Sequence, residues 1–153
     1  MTKGPPWQVG ARRQSAAATH LRAKISWYEY LRGSVMNPAI VRLDGQVEPE
    51  VSEPPAERLL GGHPELAVRN FFTDPSQQFF AGRWSATRGK WRVRYTETEL
   101  CVMTAGRVVI ESDTGERSTF VAGDAFVVPA GFSGTWEVVE DCAKIYAIFE
   151  ARS

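Results

Sequence analysis

The stretch from Gly123 to Trp136 constrains the fold of this chain more than any other. Its sequence, GDAFVVPAGFSGTW, places an apolar run at 125–128 between a Gly-Asp pair and a Pro-Ala-Gly triplet. Glycine, proline and aspartate favour turns, and a short apolar run between two turns is typical of a buried strand. The stretch therefore predicts a buried strand bracketed by two tight turns.

The chain after Ala39 repeats this pattern. Runs of β-branched and aromatic residues alternate with turns about every 8 to 12 residues, which is typical of an antiparallel sandwich or barrel. We predict strands at 40–43, 65–72, 79–85, 91–96, 99–104, 107–112 and 117–121. A helical turn or two is expected only at 55–60. The sequence thus predicts an all-β fold, with one barrel domain over residues 37–153.

Residues 1–36 differ from this domain in composition. Residues 1–35 carry six Lys or Arg side chains against one acid, Glu29, whereas the rest of the chain carries 12 basic and 17 acidic side chains. We expect a poorly ordered basic arm. Alternatives are a start of translation at Met36, an arm that binds nucleic acid or acidic partners, and a transit peptide. The acidic body argues against a nucleic-acid surface on the folded domain.

The cysteines and the hydropathy pattern bear on location. Cys101 and Cys142 lie inside apolar strand-like runs without metal-type spacing, so we expect two buried free thiols. No apolar run approaches the roughly 18 to 20 residues that a membrane span needs. We therefore predict a cytoplasmic protein that does not contact a membrane.

Two motifs of this chain resemble those of the cupin superfamily. The second cupin motif, G(X)5PXG(X)2H, fits Gly123 onward, but its closing histidine is Gly134 here. The first motif, G(X)5HXH(X)3-4E(X)6G, fits the run from Gly89 to Gly106, with Glu99 as the acid. Its two histidines are Val93 and Tyr95 in this chain. The resemblance implies a jelly-roll barrel in which only one of the four usual metal ligands remains.

Within the superfamily, the chain is most similar to the type 3, ureidoglycine aminohydrolase-like cupins. The similarity rests on 82–84 (Gly-Arg-Trp), Glu99 with Gly106, the run 123–138, and 144–146 (Lys-Ile-Tyr). It implies a small conical barrel that forms a homodimer. The defined activity of that family is the manganese-dependent release of ammonia from ureidoglycine, which needs a metal site and is typical of tandem cupin domains.

The missing ligands argue against a metal cofactor. The chain has two histidines, His20 in the arm and His63 in a Gly-Gly-His-Pro turn, so no imidazole cluster replaces them. Transition-metal sites depend on such nitrogen ligands. The alternative is a weak site for Mn, Fe, Zn or Ni, with oxygen ligands from Tyr95, Glu97 and Glu99.

Strand alternation suggests a site on the inner face of the barrel. Tyr95 and Glu99 share this face with apolar residues, and a carboxylate in such surroundings could act as acid, base or ligand anchor. We take Glu99 and Tyr95 as candidate catalytic residues. Candidate ligand-binding residues are Trp91, Tyr95, Glu99, Trp136 and Lys144. Glu97 could equally be a solvated acid at a strand end, and Lys144 a surface lysine or the partner of Glu99.

Three functions stay open at this point. The first is a metal-independent binding module for a small polar metabolite, anchored by Glu99. The second is a divergent enzyme that acts on a small ureido or amino compound with a weak oxygen-ligated metal. The third is a dimeric structural or regulatory protein with a filled barrel. A fold alone does not decide among them.

Overall fold

The computed structural model describes residues 38–152, and within them the fold is all-β. The strands are β1 Glu50–Ser52, β2 Leu59–Gly62, β3 Leu66–Thr73, β4 Phe79–Ala86, β5 Gly89–Arg94, β6 Thr98–Ser112, β7 Arg117–Val121, β8 Ala125–Val128 and β9 Ser133–Phe149. A short 3₁₀ turn, Ala56–Arg58, precedes β2 and lies within 55–60, where the sequence predicted a helical turn or two. The predicted basic arm, residues 1–36, lies outside the described residues.

One curled antiparallel sheet builds the domain. Its main path runs β1-β3-β4-β9-β5-β2, and β6 joins it by pairing with β9 while also pairing with β7 and β8. Every described strand pair is antiparallel. This arrangement confirms the predicted jelly-roll barrel. The strands β6 and β9 are the longest and hold the two sides of the barrel together.

The strand β6 corrects one prediction. The sequence suggested two strands at 99–104 and 107–112 with a turn at Gly106, but the structure has a single strand that bulges there. Gly106 has a φ of +73°, and a Cβ at this position would lie 2.2 Å from the carbonyl oxygen of Asp141. Glycine is thus needed for a bulge in a continuous strand rather than for a chain reversal.

Other boundaries also differ from the prediction. Residues 40–43 form no strand, and Ile40 is 95% exposed. No described strand pairs with this segment, so its apolar side chains are not packed against the sheet. The sequence missed β1 and β2, which lie in the acidic, proline-bearing segment. Strands of three and four residues are too short to show a clear alternation in sequence, and they are defined by pairing with β3 and β5.

The barrel interior alternates with the outer face along each strand. The buried apolar core includes Leu66, Trp91, Val93, Cys101, Met103, Val108, Ile110, Val128, Trp136, Val138 and Cys142. Both cysteines are free and buried, as predicted. Among the described residues, no helix is long and apolar enough to cross a membrane. The homodimer and the cytoplasmic location stay predictions.

Candidate functional site

A cavity inside the barrel brings together every residue that the sequence proposed for the site. The cavity has a volume of about 60 Å³. Trp91, Tyr95, Glu97, Glu99, Trp136 and Lys144 all line it. A third tryptophan, Trp84, and the apolar side chains of Leu66, Val68, Val93 and Ile148 complete most of the wall. The site is therefore an apolar chamber with a few acidic, basic and hydroxyl groups.

An ion pair lies at the centre of this wall. Lys144 on β9 donates a hydrogen bond from Nζ to Glu99 Oε1 on β6, over 2.7 Å. The two residues are only 4% and 5% exposed. Lys144 Nζ also donates to Cys101 Sγ at 3.3 Å. Of the two interpretations of Lys144, the structure supports the partner of Glu99 and contradicts the surface lysine.

Two tryptophans flank the ammonium group. Lys144 Nζ lies 4.9 Å from the ring centroid of Trp84 and 4.5 Å from that of Trp136, which are cation–π distances. Burial alone would lower the pKa of Lys144, but Cys101 and the Glu99 carboxylate raise it above its usual value. The thiol is neutral, so the Glu99 carboxylate is the group that favours the charged form of Lys144. Lys144 is thus a fixed cation.

The turn between β5 and β6 contributes two more polar groups. Glu97 is 1% exposed, which overturns the expectation of a solvated acid. The turn folds its carboxylate inward, where Oε2 accepts hydrogen bonds from the Thr96 backbone N–H at 2.9 Å and from Thr96 Oγ1 at 3.0 Å. Burial raises the pKa of Tyr95 well above its usual value, and nearby Glu99 adds to this effect. Tyr95 therefore keeps its phenol proton.

The structure adds a residue that the sequence analysis did not propose. Tyr146 lines the cavity and donates a hydrogen bond from its hydroxyl to Asn70 Oδ1 at 3.0 Å. It lies two positions after Lys144 on β9, and strand alternation alone would have placed both side chains inward. The indole N–H of Trp136 is buried and donates no hydrogen bond among the described residues. Its ring packs edge-to-face against Trp84, with 5.8 Å between the ring centroids.

The donor set does not fit a metal ion. Val93 and Tyr95 take the places of the two motif histidines, and Lys144 already engages the remaining acid, Glu99. At Gly134, the place of the third histidine, a Cβ would lie 2.0 Å from the carbonyl oxygen of Glu111. Over residues 38–152, no group of three or more His, Cys, Asp or Glu residues is arranged to hold a metal.

Comparison with known proteins identifies the barrel. A family model described as the EutQ-like cupin domain matches residues 73–146. Residues 73–146 are a cupin domain. This match confirms the type 3 resemblance inferred from the motifs and covers the segment that carries Glu99, Gly134 and Lys144.

Solved structures agree with the cupin fold. A DUF861-family protein of unknown function from Pseudomonas syringae pv. tomato is 24% identical, with a TM-score of 0.60 over 72% of this chain and 44% of that chain. The EutQ protein of Clostridium difficile is 18% identical, with a TM-score of 0.52 over 57% and 64%. An ethanolamine utilization protein Q from Salmonella typhimurium LT2 is 13% identical, with a TM-score of 0.53 over 71% and 100%.

These similarities are limited to the fold. The present chain spans less than two thirds of the length of the first two of these structures. No curated protein matches the chain. The function of this cupin must therefore be argued from its own cavity.

Proposed function

We propose that this cupin binds a small polar molecule inside its barrel and does so without a metal ion. The observation that carries the proposal is the cavity itself, which combines Tyr95, Glu97 and Glu99 with a tryptophan wall. A mostly apolar chamber with a few convergent polar groups is the usual form of a small-molecule site. The third alternative, a filled barrel, is supported less well because the chamber has space left.

The size of the chamber limits the ligand. Its volume of about 60 Å³ exceeds the roughly 10 to 15 Å³ that a cavity needs to hold one water molecule, but it is small. The proposed ligand is therefore a small metabolite with hydrogen-bonding groups for Tyr95 and Glu99, and with an apolar part that contacts Trp91 and Trp136.

The metal-dependent enzyme is the weaker candidate. It would need Tyr95, Glu97 and Glu99 to act together as oxygen ligands. The raised pKa of Tyr95 keeps its oxygen protonated. A metal ion bound to Glu99 would lie close to the Lys144 ammonium, whose Nζ is 2.7 Å from Oε1 of the same carboxylate. Like charges at such a distance repel strongly in a buried site. The cavity favours binding over turnover that depends on an oxygen-ligated metal.

The test compares two tryptophan substitutions on β1. Ser52 is half-buried and lines the cavity, whereas its neighbour Val51 points outward and is 55% exposed. Ser52→Trp should fill part of the cavity, and Val51→Trp should add the same side chain outside it. The strand β1 pairs only with β3 among the described strands, so both changes fall on a sheet edge.

A thermal-shift screen with small polar metabolites would identify ligands of the wild-type protein. We expect each true ligand to stabilise the wild type and Val51→Trp alike, and to lose its effect on Ser52→Trp. Ligands that stabilise all three proteins equally would place binding outside the cavity. A screen that finds no ligand for the wild type would count against the proposal.

A further inference from the structure

We propose that the Lys144 ammonium is a built-in cation that takes the place of the metal ion in this cupin barrel. Three of the four positions that align with metal ligands in the cupin motifs, Val93, Tyr95 and Glu99, line the cavity that Lys144 also lines. The one acid that remains of the ligand set binds the ammonium at 2.7 Å. The lysine therefore binds the same carboxylate that would bind the metal ion in the cupin motif.

The surroundings of Nζ resemble a coordination shell made by the chain itself. The carboxylate of Glu99 and the sulfur of Cys101 accept hydrogen bonds from Nζ, at 2.7 and 3.3 Å. The aromatic faces of Trp84 and Trp136 cover two further directions, with centroids 4.9 and 4.5 Å away. Hydrogen bonds and cation–π contacts together replace the water that a buried ammonium loses.

The backbone near the missing histidine supports this exchange. Gly134 and Val93 are direct cross-strand partners on β9 and β5, so two former ligand positions face each other. A side chain at Gly134 would collide with the Glu111 carbonyl. One ligand position thus has no space for a side chain, and the same strand, β9, carries Lys144 ten residues further along.

A tethered cation differs from a metal in one functional respect. It cannot leave, so its charge does not depend on metal supply or on chelators. Two of its three N–H donors are already used by Glu99 and Cys101, and two indoles lie at cation–π distance, so it leaves a ligand at most one donor. The charge therefore orients Glu99 and balances it, and the ligand meets the carboxylate rather than a metal.

Chemical rescue tests the cation site directly. Lys144→Ala removes the ammonium and three methylene groups, and propylammonium supplies a matching amine. Propan-1-ol is a control with the same number of non-hydrogen atoms and no charge. The double variant Glu99→Gln/Lys144→Ala retains the space but lacks the carboxylate.

We expect propylammonium to raise the thermal midpoint of Lys144→Ala by several degrees more than propan-1-ol does. This difference should vanish in the double variant and in the wild type. Equal effects of the amine and the alcohol on Lys144→Ala, or an equal amine effect in the double variant, would overturn the proposal.

A second measurement uses the wild-type protein and does not depend on whether a variant folds. Elemental analysis of freshly purified, untagged protein, repeated after incubation with Mn²⁺, Fe²⁺, Zn²⁺ and Ni²⁺, should find each metal far below one equivalent. Near-stoichiometric metal with Lys144 intact would overturn the proposal. Neither measurement requires a small-molecule ligand, so the proposed binding function can fail while the built-in cation stands.

Discussion

A Cβ atom at Gly134 would lie 2.0 Å from the carbonyl oxygen of Glu111 on the neighbouring strand. Real Cβ atoms do not approach a carbonyl oxygen so closely, so β6 and β9 must separate before any side chain fits. Gly134 is paired with Ser112 in this part of the sheet and is itself buried. The loss of the motif histidine is thus built into the packing of two long strands.

Gly134→Ala should therefore destabilise the barrel by about 1 to 3 kcal/mol, the usual cost of overpacking a tight interior. Gly61→Ala is the matched control, because a Cβ there meets no atom within 4 Å. We expect the control to change the free energy of unfolding by no more than about 0.5 kcal/mol. Urea denaturation measures both values, and equal losses would contradict the close contact.

Removing the ammonium alone should be costly. Lys144→Met leaves Glu99 buried without its cation, and breaking a buried ion pair in this way costs about 3 to 5 kcal/mol. Replacing both partners, as Glu99→Leu/Lys144→Met, should recover most of this loss because no buried charge remains. The measurement is the free energy of unfolding in urea.

The control for this prediction is a more exposed pair. Lys90 and Glu137 are 3.3 Å apart with about a third of each side chain exposed. Lys90→Met should cost at most about 1 kcal/mol. If Lys144→Met proved as mild as Lys90→Met, the buried pair would contribute little to stability.

The two cysteines should be unreactive in the folded protein. Burial raises the pKa of the Cys101 thiol to about 12, although Lys144 lowers it in part, and burial raises that of Cys142 to about 11. Only the thiolate reacts with alkylating reagents. At pH 8, iodoacetamide should label neither residue in native protein and both in urea, as read by mass spectrometry. Rapid native labelling of Cys101 would show that the core of the barrel opens to solvent.

Alkaline stability should depend on Tyr95. Burial raises the pKa of its hydroxyl, as it does that of Tyr146, so the folded state retains protons that the unfolded chain loses near pH 10. Stability is therefore fully present below pH 10 and falls as the pH rises above it. Each such tyrosine contributes up to about 1.4 kcal/mol per pH unit to this fall.

Tyr95→Phe should make the decline between pH 10 and 11 less steep, while the slope between pH 7 and 8 stays the same as in the wild type. The check is the free energy of unfolding across this pH range. A variant that declines as steeply as the wild type above pH 10 would show that Tyr95 ionises freely in the folded protein.

Local patterns were sufficient for much of this molecule. Alternation along a strand placed Trp91, Tyr95 and Glu99 on one face, and all three line the cavity. The turns and the apolar run near Gly123 predicted the short strand β8. These features depend on neighbours in sequence, so the sequence contains the information directly.

Features that depend on distant segments were harder to predict. Glu97 lies in a turn, and its burial follows from how the barrel closes over that turn. From the sequence, Glu99 is a possible partner of Lys144, but a surface lysine stays open because the two residues lie 45 positions apart. Gly106 resembles a turn glycine in sequence, and only the pairing of β6 with β9 reveals a bulge.

The strand β9 also limits how this cupin can change. From Gly134 to Ile148 its even-numbered positions face the interior, apart from the exposed Glu140, and they include both Trp136 and Lys144. Insertion or loss of one residue between them would reverse the side on which one of the two appears. Single substitutions at the inward positions can therefore change which ligand the chamber prefers. A one-residue insertion or deletion in β9 would instead remove one of these side chains from the chamber.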